Sequence, residues 1–233
     1  MKKQLLTGLL FLAATISLFA GDAAAFVDVG ISADGKTYVF GEYGKTDGDF
    51  QGYAEIYAVD IAKNDWIDGE VFVTKPGPAT VSKSGKTVYD ELYAKAEWKL
   101  RKYALKPARA ESLLYVRDIN KAPESEIVFK DFEGSTPGQS VYYHIKLEKN
   151  VEGKGSTCKS SFFISLEKTD ETGKVISRNI VGSPDIRRKG VTGYQINRIF
   201  SDESGRNLVF IVEKTVQDKT GTSIRYMVET IRL

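Results

Sequence analysis

The sequence predicts a mainly β protein: antiparallel hairpins curled into a propeller-like repeat with one inserted amphipathic helix, or alternatively packed as a two-sheet β-sandwich. Three observations predict it. A turn, apolar strand, polar loop and second strand run from Ile31 to Asp60, and the same order returns in weaker form from Phe200 to Thr230. Between these copies lie short runs rich in Val, Ile, Thr, Tyr and Phe, bounded by Gly, Pro, Asn and Asp, which favour strands and turns respectively. Only near residues 88–105 do apolar residues switch to a spacing of three and four.

In chain order, Met1-Lys2-Lys3 is a basic start, the run from Leu5 to Phe19 is mostly apolar, and Ala20-Gly21-Asp22-Ala23-Ala24-Ala25 is rich in small residues. This is the pattern of an export leader over residues 1–25, cut after Ala20 or Ala25, with residues 26–233 as a single domain. Cutting after Ala25 places small residues at both recognised positions, whereas cutting after Ala20 leaves Leu18 at one of them. The apolar run is shorter than the roughly 20 residues of a membrane span, so the mature chain is expected to carry none. No Cys follows the run, which argues against a lipoprotein anchor. The expected location is periplasmic or secreted.

The formal charge of +2 falls to 0 when Lys2 and Lys3 are lost, or to +1 if Asp22 leaves with them. A near-neutral chain does not suit generic nucleic-acid binding, which needs a basic face. The hydrophobic share of 42% is ordinary for a globular domain.

In the first copy, Ser32-Ala33-Asp34-Gly35-Lys36 is a turn in which Asp bonds its own backbone and Gly takes positive φ. Thr37-Tyr38-Val39-Phe40 and residues 55–60 are its strands. In the second, Ser201-Asp202-Glu203-Ser204-Gly205-Arg206 is the turn, with strands at 207–212 and 223–229. Ser84-Gly85-Lys86-Thr87 and Asp170-Glu171-Thr172-Gly173-Lys174 echo the turn, although the four glycines are unevenly spaced. If the copies are units of a ring, Tyr38–Phe40 and Leu208–Val212 become neighbours. In a sandwich the copies lie in opposite sheets.

The phrases ISADGKTYVFGEYG and IFSDESGRNLVFIVE resemble the Ser-Pro-Asp-Gly-Lys and apolar-strand unit of the periplasmic Tol-system β-propeller repeats, with Ala33 and Asp202 in place of the usual Pro. The stretch from Phe19 to Gly44 is similar to the start of a family of predicted secreted bacterial proteins, largely spirochaetal, catalogued as a domain of unknown function. That resemblance implies export and no particular activity.

Trp66-Ile67 and residues 69–73 form another strand, stopped by Lys75-Pro76-Gly77-Pro78. Tyr89, Leu92, Tyr93, Ala96, Leu100 and Tyr103 then define the helix at 88–105, ended by Pro107. Its tyrosine stripe is expected to face the core, a ligand groove being the sharper reading. Residues 112–117 and 126–129 are strands, and residues 141–148 alternate apolar and polar as a half-exposed strand, paired with 161–168.

The chemistry-bearing residues are few. Cys158 is alone, which excludes an intramolecular disulfide and leaves either an ordinary strand-edge thiol or a reactive one. Gly153-Lys154-Gly155-Ser156-Thr157 lacks the spacing of a phosphate loop. His144 is the only histidine, which removes the usual zinc sites, and as a base it would need a carboxylate partner. Arg187-Arg188-Lys189 reads as a basic loop, solvated or in contact with an anion. Asp47, Asp49, Gln51 and Glu55 follow the first, third, fifth and ninth positions of a calcium loop, but Ala58 stands where a bidentate Glu belongs, so no tight calcium site is expected. A hydrolase would need two of Asp28, Asp49, Glu55, Asp118, Asp131 and Asp202 in one cleft. No catalytic, cofactor-binding or metal residue is assigned. The expected function is a non-catalytic module binding a protein or envelope component, with an envelope hydrolase using paired carboxylates as the alternative.

Overall fold

The computed structural model describes residues 22–219 and 221–233. The leader expectation for residues 1–21 lies outside these. Twelve strands and one α-helix form in the order β1 (Ala25–Ile31), β2 (Thr37–Lys45), β3 (Gly52–Asp60), β4 (Asp65–Thr74), α1 (Gly85–Leu100), β5 (Leu113–Val116), β6 (Ile127–Lys130), β7 (Val141–Glu152), β8 (Lys159–Asp170), β9 (Val175–Lys189), β10 (Val191–Ser201), β11 (Asn207–Gln217) and β12 (Thr222–Arg232). They make three antiparallel sheets of four strands: sheet I is β1-β2-β3-β4, sheet II is β12-β11-β10-β5, and sheet III is β6-β7-β8-β9.

The sheets stack face to face, and the stacking follows from strand composition. β11 begins Asn-Leu-Val-Phe-Ile-Val with every residue buried, the signature of a strand covered on both faces. Its Val209 and Ile211 join Tyr38, Phe40 and Val59 of sheet I, while Leu208, Phe210 and Val212 join Phe162, Ile164 and Leu166 of sheet III. Sheet II is therefore the middle layer. β2 is buried on both sides for the same reason: Tyr38 and Phe40 face sheet II, and Val39 faces Val88, Leu92 and Ala96 of α1. β7 alternates buried and partly exposed residues from Val141 to Leu147, as suits an outermost sheet. The order of layers is α1, sheet I, sheet II, sheet III.

Mainly antiparallel β with one helix is what forms, but no barrel or propeller ring closes among the described residues. The two copies lie in facing sheets, as the sandwich alternative has it, with a third sheet added. Tyr38 does meet the second copy's region, its ring 5.4 Å from that of Phe200, through packing across an interface and not through ring closure. The physical reason is that α1 covers the outer face of sheet I, with Val39 against Val88, Leu92 and Ala96, so the series of stacked sheets ends at the helix and does not return to sheet III.

Local differences have local causes. Ser84-Gly85-Lys86-Thr87 is not a β-turn but the start of α1, where Ser84 Oγ accepts the Thr87 N–H at 3.0 Å. The helix thus begins three residues before the expected position. It ends at Leu100, followed by a 3₁₀ turn at Arg101–Tyr103 and Ala104 with φ of 47°, ahead of Pro107. Tyr89 is buried against sheet I, as expected of a core stripe. Arg187, Arg188 and Lys189 end strand β9 and do not form a loop; Arg187 pairs with Glu152 at 2.7 Å and Arg188 lies 5.1 Å from the Phe162 ring.

Candidate functional site

The site grows out of the repeated turn. In the first copy Ser32 Oγ accepts the N–H groups of Lys36 and Thr37, and donates to Asp34 Oδ1 at 2.6 Å. In the second copy the roles of Ser and Asp are exchanged. Asp202 Oδ1 accepts the N–H groups of Arg206 and Asn207 at 3.0 Å, and Ser204 Oγ donates to Asp202 Oδ2 at 2.7 Å. A third turn follows the second's pattern: Asp170 Oδ1 accepts from Thr172 and from the Lys174 N–H. Gly35, Gly173 and Gly205 hold the same place with φ of 68°, 83° and 65°, a region that side chains with a Cβ disfavour. One such turn occurs in each sheet. The hydroxyl and amide donors hold the Asp34 and Asp170 carboxyls below their ordinary pKa.

The first two turns meet. Asn207 Nδ2 donates to Gly35 O and to Asp202 Oδ2, both at 2.9 Å, tying the turn of sheet II to that of sheet I. Residues after α1 close the third side: Lys106 and Ile31 exchange backbone hydrogen bonds of 2.9 and 3.0 Å, and the Ala108 N–H donates to Asp28 Oδ2. The chain end closes the fourth, because β12 pairs Arg232 with Asn207 and the Leu233 N–H donates to Arg206 O.

Between these walls lies a cavity of about 360 Å³, within the size range of small-ligand sites. Its floor includes Ile31, Pro107, Ala108 and Asn207, and its charged lining is Lys106, Arg109, Arg206, Arg232, Asp34, Asp202 and Glu203. The acids are engaged: Asp34 and Asp202 hold their turns, and Glu203 pairs with Arg109 at 2.6 Å. Lys106, Arg206 and Arg232 form no ion pair within 4.0 Å among the described residues. Asn207 is 3% exposed, and its Oδ1 is buried with no hydrogen-bond partner. The cavity thus offers three cations without a direct ion pair, in a lining of four cations and three acids.

A second polar group is sealed between sheets I and II. Glu42 is 2% exposed and lies opposite Glu55 in the β2–β3 register. Burial pushes the Glu42 carboxyl up to about 7, even though it accepts the Tyr226 N–H at 2.6 Å. Glu55 accepts the Tyr57 hydroxyl, and burial lowers the Lys214 pKa against the pull of both carboxylates. Glu42 is closed to a substrate and serves the interface, whereas Glu55 is half-buried.

His144 has the partner that sequence could not place. Its Nδ1 is 3.2 Å from Glu126 Oε1 and its Nε2 is 3.1 Å from Thr169 Oγ1, the order of a nucleophile-base-acid relay. Thr169, however, is only 5% exposed, which keeps a substrate carbonyl from its hydroxyl. The six carboxylates named from sequence are engaged separately. Asp28 accepts the Tyr38 hydroxyl, Asp49 is exposed at the β2–β3 hairpin tip, and Glu55 lies half-buried opposite Glu42, accepting the Tyr57 hydroxyl. Asp118 caps an exposed turn, Asp131 pairs with Lys168 at 2.6 Å, and Asp202 holds its turn. Cys158 is fully buried, its Sγ 3.2 Å from Val191 O, so the reactive-thiol reading has no access.

Glu42, Asn207, Lys106 and Arg232 escaped sequence reasoning. Glu42 had a signal, standing at the period-two position after the inward Tyr38 and Phe40. Asn207 had a weaker one, taking the place of Thr37 in the aligned copies. Lys106 and Arg232 had none.

Among the described residues no helix is long and apolar enough to cross a membrane, and no group of three or more His, Cys, Asp or Glu converges as metal ligands. No curated protein and no solved structure matches the chain. A family model does match, over residues 39–232, which take in the first copy from Val39 onward, the whole second copy, α1 and β3 to β12, but not β1 or the turn at Ser32–Lys36. The chain therefore belongs to the family described as "Predicted secreted protein (DUF2259)".

Proposed function

We propose that this secreted-family protein is a non-catalytic binding module whose cavity between the two turns takes an anionic component of the cell envelope, one bearing carboxylate or phosphate groups. The observation that carries the reading is the arrangement of the lining, four cations against three acids: Lys106, Arg206 and Arg232 form no direct ion pair, while Asp34 and Asp202 are turned to their own loops and Glu203 to Arg109. Exposed ion pairs contribute little singly, about 0–1 kcal/mol. Three cations around one concave surface raise the local concentration of anions together.

Co-sedimentation of the mature protein with isolated cell envelopes tests this. Wild type is expected to pellet with envelopes and to be released by raised salt or by added phosphate. The double charge reversal R206E/R232E is expected to stay in the supernatant while keeping the wild-type thermal midpoint. Equal pelleting of the folded double variant would remove the cavity from the account.

A further inference from the structure

Residues 22–25 belong to the folded domain. The Ala24 N–H donates to Ile224 O at 3.0 Å and the Ile224 N–H donates to Asp22 O at 2.9 Å, so this segment adds to β12 as a short parallel partner centred on Ala23 and Ile224. Ala24 is 6% exposed. The Asp22 carboxylate takes both terminal nitrogens of Arg225, Nη2 at 3.1 Å and Nη1 closer. The guanidinium lies 4.3 Å from the Tyr53 ring, in the polar seam that also holds Glu42. Ala25 then opens β1 opposite Tyr43, and Phe26 stacks on Phe40 with ring centroids 5.8 Å apart.

We propose that the leader is removed by hydrolysis of the Ala20–Gly21 peptide bond, leaving residues 22–25 as a structural strap of the mature protein. Water adds across that amide, so that Ala20 departs with the new carboxylate and Gly21 keeps the amine. The bond after Ala25 has the better small-residue pattern, with Ala23 and Ala25 at the recognised positions, whereas Leu18 is the less usual choice before Ala20. Cutting there, however, would remove Asp22 and leave the mostly buried Arg225 guanidinium without its carboxylate. Removing one partner of a buried pair costs far more than the pair itself contributes. It would also free the Ile224 backbone groups that Asp22 and Ala24 satisfy. Any cut beyond Asp22 carries the first penalty, which leaves the bond after Ala20 as the one compatible with both the leader pattern and the fold.

The test is to express the full chain in an exporting bacterium, recover the exported protein, and read its first residue by N-terminal sequencing and intact mass. Gly21 is expected. Phe26, an intact Met1, or any other first residue overturns the assignment. A second measurement addresses the strap itself: proteins starting at Gly21 and at Phe26 are prepared and melted side by side. The Phe26 form is expected to melt several degrees lower, with D22N in the longer form lying between. Equal midpoints for the two lengths overturn the strap.

Discussion

Two residues join the first copy to the second by a polar contact each, Asn207 at the turns and Glu42 in the seam. Asn207 spends both amide hydrogens on Gly35 O and Asp202, so Asn207→Ala is expected to cost about 1–3 kcal/mol and to loosen the two turns from one another. Chemical denaturation gives the first quantity, and hydrogen exchange at Gly35 and Arg206 the second. Glu42 makes stability depend on pH. Its folded pKa of about 7 stands above the ordinary 4.5 because burial disfavours the charge. Below 4.5 the group is protonated in both states and the penalty is absent. Between 4.5 and 7 the unfolded chain ionises first, so stability falls as pH rises, by up to about 3 kcal/mol, and levels off above 7. Denaturation at pH 5 and pH 7.5 is expected to show this loss in wild type and not in Glu42→Gln. A wild-type protein equally stable at both values contradicts the seam as described.

At the scale of elements, the contact between α1 and sheet I depends on close approach. A Cβ added to Gly41 would stand 2.5 Å from Tyr89 Cε2, so Gly41→Ala must displace the helix or the ring. A loss of about 1–3 kcal/mol is expected, measured by thermal or urea unfolding. Ser84→Ala removes the helix N-cap and is expected to cost about 1 kcal/mol. Elements were readable in sequence where local chemistry decides them. The turns at Gly35, Gly173 and Gly205 were legible because Ser, Asp and Gly fix them within five residues. The core of α1 was legible from its stripe, but Ser84-Gly85-Lys86-Thr87 carries the same letters as a turn and became a cap, because the residues that follow it are helix formers. Arg187-Arg188-Lys189 looked like a loop for its charge alone. Pairing of β9 with β8, together with Glu152 and the Phe162 ring, makes it strand.

For the whole molecule, the continuous apolar runs of β2 and β11 and the alternation of β7 encode which strands are covered twice and which once. They do not encode which sheet faces which, and that is why a ring and a sandwich both fitted the sequence. The candidate site suffers from the same gap. Each turn could be read locally, but their meeting depends on sheets I and II packing together, and Lys106 and Arg232 arrive through the segment after α1 and the end of β12. The third turn, at residues 170–174, supplies a built-in comparison: it has the same Asp-Gly-Lys chemistry and does not line the cavity. The most direct measurement is therefore an NMR titration of the isotope-labelled mature protein with inorganic phosphate and with D-glucuronate as fragments of the anionic ligand. The account predicts saturable shifts of the amides of residues 32–36 and 202–207 together, with Gly173 and Lys174 unmoved. Equal response of all three turns, or response of none, would contradict it.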